Sequence, residues 1–490
     1  MRNEAELKSF GTALAGALAL AFTLTLTVAC GGDVDPTPPS NNDGGVEPPA
    51  DGGTDGGTDG GTDGGVPPPA DTAFAAIRFN ANGTLDTSFG NGGVTIVDVG
   101  PAAGNARETL WGMARDNSDR LVLFGHSKGT DRIDTDRVIV RLTANGAVDT
   151  TFGTNGLSTL NVANLGDNAR NGIVQPDGKI VSSGYTPQPS GVGTQTTNKI
   201  VLARYNDDGK LDTTFGARGI VNSMPLPPAD PINTEWGVTE AYSVGYQSGK
   251  YVTTGYGRSA ASGGVDLLSF RYTSTGQLDT TWGTNGVLKL DLVGDNDRGR
   301  NLVVLPDDRI FMTGSGTPTA QNVDAMLVMV TANGALDTSF SAEGYKLYSF
   351  GRPDEAFYGA AVSPTGDRLA AAGYIAGGGQ DDDALLFLQP TAGGAEFAQP
   401  VPISETENDR FWAVAFDSAG KAYGAGFVAE AGDNRMIVVR FNSDGTRDTS
   451  FGTNGVASYN VVQAGTDETA RGVVVQSDGK VVIAGIVEKK

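Results

Sequence analysis

The chain has 490 residues, 57 acidic against 35 basic side chains and a formal net charge of −22, with one histidine and one cysteine. That balance argues against a nucleic-acid binder, which needs a basic footprint. With only Cys30 and His126 available, an internal disulfide is excluded and His- or Cys-based zinc sites are implausible; a Ser-His-Asp triad could be built only on His126, which is expected in a solvated loop.

Residues 1–30 have the layout of a secretory signal: Arg2 and Lys8 precede the apolar stretch Gly11–Ala29, which ends in the small residues Ala29-Cys30-Gly31. Cys30 directly after the apolar run is similar to the acylated cysteine of a bacterial lipoprotein signal. Thr27, Glu4 and Glu6 depart from that pattern. The expectation is lipidation at Cys30 and an extracytoplasmic, membrane-anchored protein at the outer membrane or cell surface. Cleavage after Ala29 to a secreted protein and an uncleaved span are the alternatives. Residues 31–71 carry Pro-rich patches around a Thr-Asp-Gly-Gly tract, with acids, no bases and almost no apolar residues. Such a segment cannot bury enough surface to offset the entropy of ordering, so it reads as a disordered tether.

Residues 72–490 repeat. One signature runs Arg, an aromatic or apolar residue, a polar Gly turn, Leu-Asp-Thr-Ser/Thr-Phe-Gly, two residues and Gly before an apolar run. It spans Arg78–Val94, Arg141–Leu157, Arg204–Ile220, Arg271–Val287, Met329–Tyr345 and Arg440–Val456, with an eroded copy at Leu386–Ile403. Between these lies a second element, an apolar run, a Gly or Asp turn, a basic residue and another run ending in Gly, as in Gln175–Gly184 and Gln476–Gly485. Each period of about sixty residues therefore holds two hairpins, hence four short strands. Seven such periods predict an all-β, seven-bladed β-propeller with four-stranded blades. The region opens on the second half of a period and ends on the first half, so the ring should be closed by strands from both termini.

The Leu-Asp-Thr-Ser/Thr-Phe-Gly and Pro-Asp-Gly-Lys-Ile stretches resemble the delta-60 repeat family of bacterial secreted or surface proteins. That resemblance implies a β-propeller of unknown activity and carries no catalytic residues. In five copies the signature Arg precedes the signature Asp by eight residues, which reads as a structural brace rather than a site.

Function is sought instead on the irregular links between the regular turns. Their acids Asp295, Asp297, Asp381, Asp382 and Asp383 and the aromatics Trp111 and Trp412, where links re-enter the ring, are the candidate binding residues. Trp236 and Tyr358 are similarly placed. The reading is a monomeric, non-enzymatic surface module without a cofactor, recognising a glycan, a protein or a cationic partner. The alternatives are a carboxylate-dependent glycan hydrolase or lyase and a purely structural envelope protein. Oxygen ligands are abundant enough for calcium, but Asp295-Asn296-Asp297-Arg298-Gly299 is not a calcium-loop pattern.

Overall fold

The computed structural model describes residues 71–100, 107–128, 134–163, 165–189, 196–223, 240–257, 264–319, 322–462 and 468–489. The signal with Cys30, residues 31–70 of the tether, Trp236 and the link Met224–Glu235 lie outside the described residues. Among those described, no helix is long and apolar enough to cross a membrane.

Among the described residues the strands form five four-stranded sheets and one eight-stranded sheet. Within a sheet the strands follow chain order and pair antiparallel, as in Glu240–Gln247, Lys250–Gly257, Asp266–Tyr272 and Val287–Leu290. The eight-stranded sheet is two such units, starting at Asp297 and Asp354, joined by a parallel pair, Val323–Asp354. The eroded repeat keeps its outer strand: Phe397–Pro400 pairs with Leu385–Leu388. One sheet departs from chain order. It runs Val94–Val97, Thr72–Phe79, Val481–Glu488, Thr469–Val475, and its middle strands pair continuously from Thr72–Glu488 to Phe79–Val481.

The apolar core lies between neighbouring sheets, as where Phe74, Val482 and Ala484 pack with Leu123, Val138 and Val140. The third strands, such as Asp266–Tyr272, are buried on both faces, which explains their unbroken apolar sequence. The first strands pack on one another in chain order: Arg107–Arg115, Asn168–Val174, Glu240–Gln247, Asp297–Val304, Asp354–Val362, Asp409–Phe416 and Thr469–Val475. Thr469–Val475 also packs on Arg107–Arg115.

The recurrent signature is a brace between sheets. Arg271 Nε donates to Asp279 Oδ2 at 2.7 Å, its Nη1 donates to Ala332 O in the next unit at 2.8 Å, and its guanidinium covers the buried Trp282 ring at 4.9 Å. Arg78, Arg141 and Arg204 repeat this with Asp86, Asp149 and Asp212. Arg440 forms an ion pair with Asp448, Nε to Oδ2 at 2.9 Å, and its Nη1 donates to Ala81 O at 2.7 Å, so the last signature reaches the N-terminal turn. Asp279 Oδ1 caps its own turn by accepting from the Thr281 N–H at 3.1 Å. Burial pushes the Asp279 carboxyl up, but Lys250, Thr281 and Arg271 outweigh it and hold it well below the usual carboxylate range.

Candidate functional site: a circuit of arginine and aromatic side chains

Each first strand has one register shift against its second strand, and the glycine that ends the second run is the reason it can form. The shifts fall between Leu110 and Gly112, Ala169 and Asn171, Ala241 and Ser243, Gly299 and Asn301, Phe357 and Gly359, Phe411 and Ala413, and Ala470 and Gly472. Opposite them stand Gly125, Gly184, Gly255, Gly314, Gly373, Gly426 and Gly485. A Cβ on Gly314 would lie 1.8 Å from Arg298 O, and one on Gly485 would lie 1.7 Å from Thr469 O. The bulge brings the first-strand carbonyl so close that only glycine fits.

The residue inserted at each bulge is Trp111, Arg170, Tyr242, Arg300, Tyr358, Trp412 and Arg471 in turn. A bulge re-aims a side chain, and these touch in sequence. Arg170 lies 4.2 Å from the Trp111 ring and 4.9 Å from Tyr242. Arg300 lies 5.0 Å from Tyr242 and 4.9 Å from Tyr358. Tyr358 meets Trp412 edge-on at 4.8 Å. Arg471 lies 4.8 Å from Trp412 and 4.4 Å from Trp111. The contacts thus return to the residue from which they started. Guanidinium over an aromatic face is attractive, more so when water is excluded.

A second repeated device fixes the strand just before six of the seven bulges. Glu108, Asp167, Asp297, Glu355, Asp409 and Glu468 stand three residues ahead of Trp111, Arg170, Arg300, Tyr358, Trp412 and Arg471. All six are buried. Each accepts from backbone N–H groups of the incoming link: Asp297 from Leu292 at 2.6 Å, Glu355 from Phe350 at 2.8 Å and Asp409 from Ile403 at 2.8 Å. Burial lifts Glu108, Glu355 and Glu468 to about 7, against the downward pull of those N–H groups. It lifts Asp297 and Asp409 to about 6.

The sequence-expected site residues divide accordingly. Asp295 is exposed. Asp297 is buried, so its expected place among solvent-facing acids is corrected: it is spent on the link backbone. Asp381, Asp382 and Asp383 are half-buried. Asp382 Oδ2 accepts from Arg410 at 2.7 and 2.9 Å, and Asp383 accepts from Arg352 at 2.8 Å. Trp111 and Trp412 both belong to the circuit; Trp412 is buried and Trp111 half-buried. His126 is not in a solvated loop but on the strand Leu121–Lys128, 6.4 Å from the Trp111 ring. Burial and then the charges of Arg170 and Arg137 push it down to about 3, so it is a neutral imidazole. Among the described residues no group of three or more His, Cys, Asp or Glu side chains is arranged to hold a metal ion. Sequence reading missed Arg170, Tyr242, Arg300 and Arg471, although the acid three residues ahead marks three of the four.

Residues 71–89, 121–152, 175–215 and 420–451 match the family described as a domain of unknown function (DUF5122) beta-propeller. The fold is a β-propeller. The delta-60 resemblance is thereby met at the level of a β-propeller repeat family of unknown function. No curated protein matches the sequence. Among solved structures, the polysaccharide lyase Uly1 is 9% identical with a TM-score of 0.43, covering 84% of this chain and 98% of its own. A glucose dehydrogenase is 13% identical with a TM-score of 0.39, covering 69% and 98%. The β-propeller domain of the Trilobed protease from Pyrococcus furiosus is 10% identical with a TM-score of 0.35, covering 68% and 82%. Likenesses of this degree carry no argument about activity.

Proposed function

We propose that this propeller is a seven-bladed ring, closed by strands from both termini, acting as a non-catalytic binding module outside the cytoplasm. Its anchor is Cys30 and its working surface is the end of the channel where the irregular links enter the first strands. The partner is a surface glycan or protein. The observation that carries the reading is the circuit of seven bulge residues. Each blade contributes one side chain, and the residue types vary from blade to blade, while the glycine opposite the bulge is the same in all seven and the Arg–Asp brace recurs in five. A scaffold repeats its structural residues; a site is where the repeat is broken on a fixed frame. The brace from Arg440 to Ala81 O, matching that from Arg78 to Ala144 O, supports closure. Asp295, Trp111 and Trp412 are the residues retained for partner contact, with Asp381, Asp382 and Asp383 forming the adjoining rim.

The test is a glycan-array and envelope-extract binding comparison with variants at the two ends of the channel. Asp295→Asn and Trp111→Ala should weaken capture. Lys210→Ala, on a regular turn at the opposite end, should not. Equal loss from both sets would overturn the assignment of the working end. For the anchor, Cys30→Ala should move the protein out of the membrane fraction, and unchanged retention would reject lipidation.

A further inference from the structure

We infer that the circuit is an oxyanion site, taking a carboxylate or sulfate carried on a sugar ring. This rests on the reading of the link-entry end as the working surface and gives that surface a ligand chemistry.

Three observations point there. Every polar group the circuit presents is a donor or carries one: the guanidinium groups of Arg170, Arg300 and Arg471, the indole N–H of Trp111 and Trp412, and the phenols of Tyr242 and Tyr358. A ligand that matches such a set must be rich in acceptors, and a charged acceptor is favoured by three cations. Second, donors in the circuit are left over. Arg300 is nine-tenths buried, at 9% exposure. Among the described residues it makes no hydrogen bond or ion pair, only ring contacts, and its Nε is buried without a partner. Trp111 Nε1 and Trp412 Nε1 are buried without partners as well. A buried, unpaired guanidinium is costly unless something satisfies it.

Third, the carboxylates around the circuit are directed elsewhere. Asp382 holds Arg410, Asp354 accepts from the Tyr374 hydroxyl at 3.3 Å, and Glu240 accepts from Asn198 at 2.6 Å. Arg137 and Arg298 stand nearby in addition to the three circuit arginines, so the surroundings favour an incoming negative charge. The neutral His126 beside Trp111 is consistent with that field.

The aromatics narrow the ligand class. Trp111, Tyr242 and Tyr358 are half-buried, so each keeps some exposure while in contact with a circuit arginine. An oxyanion set on a flat, partly apolar ring uses both features, whereas a free inorganic ion uses only the first.

The experiment is a titration of the full chain, followed by melting temperature and tryptophan fluorescence. Glucuronate is compared with glucose, with inorganic sulfate, and with sodium chloride at matched ionic strength. Glucuronate should raise the melting temperature and change the fluorescence saturably, while glucose and chloride should do neither. A response to sulfate equal to that of glucuronate keeps the oxyanion site and removes the sugar from it. Arg300→Met should lose the response by about tenfold or more in affinity, the scale of a charged hydrogen bond. Its own melting temperature without ligand should stay level or rise, because no partner is stranded by the change. Arg300→Lys, which keeps the charge, should retain part of the response and guards against misfolding of the first variant. A wild-type chain indifferent to both anions, or an Arg300→Met chain that responds like wild type, overturns the inference. If that happens while Trp111→Ala still loses the surface partner, the oxyanion site falls and the binding module stands.

Discussion

Gly314→Ala links the repeat signature to the site in one substitution. The added Cβ would lie 1.8 Å from Arg298 O and 2.9 Å from the Arg298 carbonyl carbon. Both atoms are backbone, so no flexible side chain can give way. Restoring an ordinary contact of at least about 3 Å requires the first strand to move by more than about 1 Å, or the bulge to disappear. Overpacking of a rigid site costs about 1–3 kcal/mol and more where backbone must move. At about 2 cal/mol/K per residue over roughly 400 folded residues, 3 kcal/mol corresponds to a fall of about 3–4 °C in melting temperature. The larger effect should be on the circuit. Without the bulge Arg300 returns to the ordinary strand alternation and leaves Tyr242 and Tyr358. Differential scanning calorimetry, paired with the glucuronate titration, reads both consequences. A Gly314→Ala chain with unchanged melting and unchanged titration would refute the bulge as the device that positions Arg300.

Three further outcomes follow from the same structure. Asp279→Ala removes the carboxylate partner of Arg271, which is 4% exposed, and should cost about 3–5 kcal/mol; Lys210→Ala at the exposed Asp208 pair should leave the melting temperature unchanged, both by calorimetry. Deleting Val481–Lys490 uncovers the edge of Thr72–Phe79 and should give aggregates by light scattering; a soluble monomer would contradict closure by the chain ends. The buried carboxylates predict a pH profile. Glu108, Glu355 and Glu468 lie near 7 and Asp297 and Asp409 near 6, above their ordinary values, so the native state holds protons that the unfolded chain releases. Their stabilisation is complete below the ordinary carboxylate range and is lost as pH rises through 6 to 7. The melting temperature should therefore fall between pH 5 and pH 8, and a flat or rising profile would show these groups to be ionised at little cost.

Much of the fold was legible because its devices recur. The Arg–Asp spacing of eight residues, the Gly turns and the aromatic plug each serve one local role, and they repeat wherever that role repeats. The second-run glycine was visible as a pattern, but its cause was not, since the clash at Gly314 is with a carbonyl of another strand. The circuit was harder to read. Its seven positions hold Trp, Arg, Tyr, Arg, Tyr, Trp and Arg, so no single residue type marks them all. A bulge also shifts them out of the two-residue alternation by which strands are read. Trp111 and Trp412 were recognisable because a large aromatic at a strand entry is conspicuous, whereas Arg300 looked like any charged residue. Asp297 misled for the opposite reason. In sequence it sits beside Asp295 in a polar link, yet it starts a strand and faces the link's own N–H groups. Acid composition describes a segment, while burial depends on a single position.

Anomalous diffraction from crystals of the protein soaked in selenate, a heavy analogue of sulfate, would locate a bound oxyanion. A selenium peak is expected within hydrogen-bonding distance of Arg300, beside the rings of the circuit. Peaks confined to exposed side chains such as Lys210, with none at Arg300, would contradict the oxyanion site.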